Sequence, residues 1–378
     1  MKLDCRDTKN HAEKTKIPVI SITGNPFELG YQHGNQAKEA IRENILFYLD
    51  LWKYFGNVGC NQVLRDAQMF IPYIETFDPE LLEELRGIAE GSKIQFEEII
   101  ALNCRWEMTY AYMSHAQTYQ DGCTAYALTP QSTKNQHTFI GQNWDYKPKS
   151  LCIILKIHQN CKPDIIAHTE AGIIGQKGFN SKGIGVCINY IRCDKDVFHA
   201  GLPVWIKVRG ILNSVNFPDC LKILSNFGGP NSVNLIVANR DGEAIDVEST
   251  PDDTFFLYPQ HGILTHTNHF LSSGIGARDT GKTLLPDTVI RNHRAFQLLK
   301  DKRENLQDDA IKDVLKDHFG HPNSICRHRD DRVHPNEQWE TLTSIIIDLT
   351  KGKMLYTNGP PCSNPYEIIT MGDNRSGS

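Results

Sequence analysis

The sequence predicts an α+β fold built in layers. Three observations carry this: a helical first third, an abrupt change to short β-rich runs after Asp121-Gly122, and later helices that come in blocks instead of alternating with strands. Leu29, His33, Ala37, Ile41 and Ile45 recur at helical spacing, and helical character runs from 28 to about 118. Asp78-Pro79 opens a second helix with an acidic cap and a proline preset for the first turn, and Gly91 is expected to close it as a C-cap. Strands are expected at 124–128, 138–142, 152–158, 164–168 and 184–190. Helical patches follow near 203–226, 284–299 and 308–318. Asn239-Arg240-Asp241-Gly242, between the strand-like runs 233–238 and 243–248, has the turn chemistry of a hairpin, and Lys351-Gly352 marks another. There is no internal repeat and no low-complexity linker.

The chain has 378 residues, 40% of them hydrophobic and 22% charged, which is enough to bury a sizeable core. A net charge of −5, with acids and bases mixed throughout, offers no basic field for phosphate backbones and excludes nucleic acid as the expected partner. The opening Met1-Lys2-Leu3-Asp4-Cys5-Arg6-Asp7 lacks the apolar run of a secretory signal, and no segment reaches the roughly 18 apolar residues of a membrane span. The terminal Arg375-Ser376-Gly377-Ser378 is not a peroxisomal Ser-Lys-Leu-like address, so the cytoplasm is the expected location. Eleven scattered cysteines fit reduced, mostly buried thiols better than a disulfide framework.

Asp121-Gly122-Cys123-Thr124 falls where helix gives way to strand. A thiolate at Cys123 could attack the Gly122 carbonyl, turn the peptide into a thioester and let water release the upstream segment. Glycine suits the step because it lacks a Cβ to crowd the carbonyl. Cleavage would leave Cys123 with a free α-amine, whose reference pKa of about 8 lets it serve as base for its own thiol. An oxyanion donor is needed in both self-cleavage and turnover, and Asn268 in His266-Thr267-Asn268-His269 is a candidate beside the plainer reading of a turn asparagine. Asn143 and Asp145 in Gly141-Gln142-Asn143-Trp144-Asp145 follow a strand and either orient the site or cap a turn.

Other chemistries find less support. The run from Cys326 to His334 contains metal-ligand residue types, and His266 and His269 lie three apart. Its arginines would repel a cation and no Cys-x-x-Cys pair accompanies it, so no metal is expected. There is no Gly-x-Ser-x-Gly elbow and no Walker A loop, and Gly183-Ile184-Gly185 is too short for a dinucleotide fingerprint.

The chain resembles the fungal acyl-CoA:6-aminopenicillanate acyltransferase (isopenicillin N acyltransferase) family along almost its whole length. Similar segments, in the family's order, include 86–91, Ala101-Leu102-Asn103-Cys104-Arg105, Asp121-Gly122-Cys123-Thr124, 141–145, 169–175, Gly178-Phe179-Asn180-Ser181, 266–269 and Ser324-Ile325-Cys326-Arg327. The resemblance implies a four-layer αββα N-terminal-nucleophile sandwich, made as a precursor that cuts itself before Cys123. The helical segment 1–122 and the core 123–378 would then stay associated as two chains of one catalytic domain. It implies Cys123 as nucleophile, Asp121 and Gly122 as cleavage context, Asn268 as oxyanion donor and Asp145 in processing and site integrity, with Thr124, Arg209 and Ser324 at supporting positions. The family carries a second threonine where this chain has Ala125, and the peroxisomal tripeptide is missing.

The expected activity is ping-pong acyl transfer through an acyl-enzyme on Cys123. Acyl groups would pass from acyl-CoA, a co-substrate, to an amine such as 6-aminopenicillanate, and isopenicillin N-type amides would also be hydrolysed; no cofactor is implied. The alternatives are an amidohydrolase of small N-acyl amides that uses water as acceptor, and an uncleaved, non-catalytic homologue.

Overall fold

The computed structural model describes residues 16–113, 122–226 and 229–372; Asp121, the first fifteen residues and the tail from 373 lie outside the described residues. Strand β1 (Val19–Gly24) precedes a helical segment of α1 (Pro26–Gln36), α2 (Lys38–Gly56), α3 (Cys60–Gln68), α4 (Ile71–Phe77), α5 (Pro79–Ser92), α6 (Phe96–Asn103) and α7 (Arg105–Tyr112). Strands β2 (Gly122–Leu128), β3 (Phe139–Tyr146), β4 (Cys152–Gln159), β5 (Ile165–Glu170), β6 (Lys177–Asn180) and β7 (Ile184–Asn189) follow. Helices α8 (Val204–Asn213) and α9 (Phe217–Asn226) lead to β8 (Val233–Asn239), β9 (Ala244–Ser249), β10 (Thr254–Leu257) and β11 (Ile263–His266). The chain then forms α10 (Gly281–Leu284), α11 (Asp287–Asp301), α12 (Asp308–Leu315), β12 (Glu340–Asp348), β13 (Lys353–Tyr356) and β14 (Glu367–Thr370).

The strands assemble into two sheets, ordered β1-β4-β5-β6-β7-β8-β9-β10 and β11-β2-β3-β12-β13-β14. Ala125, Ile140 and Ile345 of the smaller sheet meet Ile154, Ile166 and Ile236 of the larger in one apolar cluster, so the sheets pack face to face. The outer face of the larger sheet buries Ile153, Leu155 and Val186 against Leu85, Ile88, Ile206 and Leu224 of the helices. The outer face of the smaller sheet packs Leu128, Phe139 and Ile346 against Leu299 and Ile311 of α11 and α12. The result is the expected αββα order of four layers. Among the described residues, no helix is long and apolar enough to cross a membrane.

Both hairpins expected from turn chemistry are present, β8 with β9 and β12 with β13. Asp78 caps α5, accepting a hydrogen bond from Glu80 N at 3.0 Å with Pro79 in the first turn. Two expectations fail. Gly91 does not end α5; Lys93 does, in a left-handed conformation at φ 58°. Gly91 lies within the helix because a Cβ there would collide with the carbonyl oxygen of Tyr31 in α1, just as one at Gly30 would strike the carbonyl of Glu84. The glycines let two helices approach at backbone contact. Asn143 and Asp145 do not follow a strand but lie inside β3, where Thr124 pairs with Asn143 and Gly122 with Asp145. Buried partners hold them there, Asn143 Nδ2 donating to the carbonyls of Leu315 and Ile325 at 2.9 Å each.

The helical segment is not a separate body. Strand β1 pairs in parallel with β4, Val19 opposite Ile154. Glu170 of β5 is the buried hub of a second tie, accepting from Arg105 Nε, Ser150 Oγ and Gln176 Nε2, each at 2.6 Å, and from the Tyr48 hydroxyl.

Candidate active site

Sheet order builds the site. In β2, Cys123 stands opposite Trp144 of β3, while on the other side β11 pairs His266 with Ala125. Leaving β11, the chain passes through Thr267 to Asn268 and so delivers that side chain to the head of β2. Cys123 N donates to Asn268 Oδ1 at 3.1 Å, and Asn268 Nδ2 donates to the Tyr190 carbonyl at 2.9 Å. Gln142 Nε2, from β3, lies 3.5 Å from Cys123 Sγ, with its own carbonyl oxygen accepting from Ile188 N at 3.0 Å. Cys123 is buried at 3% exposure.

An arginine closes the site from α11. Arg291 Nη1 donates to Cys123 O at 2.7 Å and to Thr124 Oγ1 at 3.1 Å, and its Nη2 donates to Asn268 Oδ1 at 2.8 Å. Its Nε is held by Asp287 at 2.7 Å. Behind it, Arg327 donates to Asp145 Oδ2 at 3.3 Å and to Asp287, and stacks 3.7 Å from the centre of the Trp339 ring. Thr341 Oγ1 donates to Asp145 Oδ1 at 2.7 Å. Burial lifts the Asp145 carboxyl to about 6, against the pull of Arg327 and Arg291. At Asp287 burial pushes upward too, but Arg291 and Arg327 outweigh it and hold the carboxyl below its usual range. Lys177, with Nζ 3.8 Å from the centre of the Trp144 ring, is pushed down by burial, and Cys152 and Cys123 act in the opposite direction.

Gly122 is fixed by its neighbours. A Cβ there would run into the Trp339 ring and come within 3.3 Å of Asp145 Oδ2. Gly122→Val is therefore expected to destabilise the fold by about 1–3 kcal/mol, as overpacking does. Thermal denaturation would show it, with most of the loss recovered in the Trp339→Leu background; an unchanged midpoint would refute the contact.

Of the residues expected from sequence, Cys123, Gly122, Thr124, Asn268 and Asp145 converge here. Asn268 arrives with its roles reversed. In this structure it presents its oxygen to Cys123, while its amide nitrogen is spent on Tyr190. Arg209 and Ser324 are elsewhere engaged. Arg209 donates from Nη1 to Glu84 at 2.8 Å and to the Ile174 carbonyl at 3.0 Å, joining α8 to α5, and Ser324 donates to the Cys326 carbonyl. Sequence reasoning missed Arg291, Arg327, Asp287, Gln142 and Lys177. Arg291 left a signal, since it shares a buried stripe with Thr288, Ala295 and Leu299. An arginine on the inward face of a helix requires a buried partner.

The two reasons for expecting no metal among residues 326–334 do not survive. Arg327 turns to Asp145 and Asp287, and Arg329 makes a fork with Glu340 at 2.9 and 3.0 Å. Cys326 and His328 meet partners from outside the run instead. His266 and His269 do not share a ligand position: His266 Nε2 faces Glu248 at 2.8 Å, and His269 Nδ1 faces Thr288 Oγ1 at 3.0 Å.

His266 braces the turn that carries Asn268. Burial opposes its charge, but Asp246 and Glu248 raise it from 6.5 to about 9, so it is an imidazolium at neutrality. A folded value above the unfolded one means stability fully present below 6.5 and lost as pH rises through about 9. The loss across that window is roughly 3 kcal/mol. Denaturant unfolding between about pH 6.5 and 9.5 should show this decline in the native chain and a much flatter profile in His266→Gln. Equal slopes would rule out His266 as its source.

Comparison with known proteins places the chain in a family. Residues 132–362 match the family described as acyl-coenzyme A:6-aminopenicillanic acid acyl-transferase. A curated relative, the 40 kDa form of acyl-coenzyme A:6-aminopenicillanic-acid-acyltransferase from Emericella nidulans, is 30% identical over 362 residues, covering 93% of this chain and 95% of its own. Solved structures are more distant. A mutant conjugated bile acid hydrolase from Clostridium perfringens gives a TM-score of 0.46 at 18% identity, covering 66% of this chain and 92% of its own. Penicillin V acylase from Agrobacterium tumefaciens gives 0.44 at 12% identity, covering 66% and 87%. The chain belongs to the acyl-coenzyme A:6-aminopenicillanic acid acyl-transferase family. It is an enzyme of an acyl-transferase family.

Proposed function

We propose that the chain cuts itself between Gly122 and Cys123 and then acts as an N-acyltransferase through an acyl-enzyme on Cys123. The observation that carries the reading is the buried Cys123 at the head of β2, its nitrogen held by Asn268 Oδ1 at 3.1 Å and its carbonyl by Arg291 at 2.7 Å. In the first step Sγ bonds to the Gly122 carbonyl carbon, the Gly122–Cys123 C–N bond breaks, and the nitrogen takes the thiol proton. Water then hydrolyses the thioester, leaving a carboxylate on Gly122 and a free α-amine on Cys123. Asn268 Oδ1 already accepts from that nitrogen, so the amine is held while its lone pair turns to the thiol. In turnover Sγ displaces coenzyme A from an acyl thioester, or an amine from an amide, and an acceptor amine such as 6-aminopenicillanate or water takes the acyl group. The fragment 1–122 stays bound through β1 and the Glu170 network.

Denatured intact mass tests the first half: two fragments with the break before Cys123 support it, and a single chain moves the non-catalytic reading forward. Phenylacetyl-CoA added to cleaved protein tests the second, with acylation of Cys123 expected. Failure to acylate sinks the transferase version. Product that remains the free acid when amine is present assigns a hydrolase instead.

A further inference from the structure

Away from Cys123, four side chains from two separate stretches bring their donor atoms together. His318 follows α12, Cys326 and His328 lie on the long connection to β12, and Cys362 follows β13. One donor atom from each lies within 4.8 Å of the other three. His318 Nε2 is 3.1 Å from His328 Nε2; Cys326 Sγ and Cys362 Sγ are 3.7 and 3.4 Å from the same nitrogen. Both cysteines are free thiols.

The three separations from His328 Nε2 match those between ligands of a tetrahedron around an ion. Bonds of about 2.0–2.1 Å to nitrogen and about 2.3 Å to sulfur put two ligand nitrogens about 3.3 Å apart and nitrogen and sulfur about 3.6 Å apart. Two thiolates and two imidazoles are also the mixed set that suits zinc over magnesium or calcium. Hydrogen bonding alone serves the cluster less well, because two Nε2 atoms facing each other need one ring to be the donor and leave two thiols converging on the same point. His321 lies with its ring tilted 37° to that of His328 and 5.1 Å from it, ring centre to ring centre, beside the donor set and not in it.

We propose that His318, Cys326, His328 and Cys362 bind one zinc ion as a closed structural site. Four protein ligands leave no open position for substrate, which separates this site from the chemistry at Cys123. Binding releases the two thiol protons to solvent and leaves a neutral centre of Zn²⁺ with two thiolates. The ion staples a stretch, 316–339, that contains neither helix nor strand, and ties it to the segment after β13. Arg327 lies between two of the ligands, so the staple also fixes the arginine that holds Asp145 and Asp287.

The test uses the whole chain produced in zinc-supplemented medium and passed over a desalting column. Elemental analysis should find about one zinc per chain in the native protein and in Cys60→Ser, an exposed thiol elsewhere, with at least a tenfold drop in Cys362→Ser and His318→Gln. Since those variants could fail to fold, cobalt(II) replacement in the native chain stands as an independent readout. Intense d–d bands in the red and a thiolate-to-cobalt band in the near ultraviolet are expected. A folded, reduced native chain that carries no zinc and gives no such spectrum overturns the proposal, as does a Cys326–Cys362 disulfide in the freshly isolated protein.

Discussion

Cys123→Ala is expected to remain a single chain of 42.8 kDa, with acyl transfer reduced by at least about 10⁴-fold. The change removes one sulfur at the head of β2 and leaves the β2–β3 and β2–β11 ladders intact. Folding should therefore survive while both reactions stop, because in the proposed mechanism self-cleavage and turnover use the same thiol. Intact mass and acyl-enzyme trapping measure the two separately. A variant that still cuts would place the cleaving nucleophile elsewhere. One that cuts but cannot be acylated would split the roles here assigned to one residue.

Arg291→Met should have the next largest effect. The guanidinium joins the Cys123 carbonyl, Thr124 Oγ1, Asn268 Oδ1 and Asp287, and is about 1% exposed. Its removal leaves three buried oxygens short of a donor and Asp287 short of a cation. Breaking a buried pair in this way costs about 3–5 kcal/mol, and the loss should be read by urea unfolding. Maturation should slow as well, since nothing then orients the Cys123 carbonyl and Asn268 together. Arg291→Lys keeps the charge but not the planar fork, and is expected to rescue stability only in part. One turn further on, Arg294 offers the control. It pairs with Asp317 at 2.6 Å but is one-third exposed, so Arg294→Ala should cost about 1 kcal/mol or less. Equal losses in Arg291→Met and Arg294→Ala would mean that Arg291 is only another ion pair.

What the sequence made legible is what local chemistry decides. The Asn239–Gly242 turn, the Asp78-Pro79 helix start and the change of periodicity at Gly122 each act over a few residues, and each appears where expected. Gly91 was misread because a glycine that ends a helix and one that admits a neighbouring helix look alike until the neighbour is known. Asp145 was misread for a related reason: a carboxylate argues against a strand interior unless Thr341 and Arg327, far along the chain, are there to satisfy it. The donor set around His328 needed the same kind of information. Its members are scattered from 318 to 362, and only the fold cancels the apparent obstruction by Arg327 and Arg329.

The place of β1 at the rim of the larger sheet bears on how the enzyme can be made. A polypeptide beginning at Cys123 would expose the backbone of β4, from Cys152 to Gln159, as a bare row of donors and acceptors open to any passing strand. Such a fragment is prone to aggregate before it can function. The N-terminal stretch thereby shields that edge, and recombinant production of the whole chain is expected to give more soluble protein than the two pieces made apart.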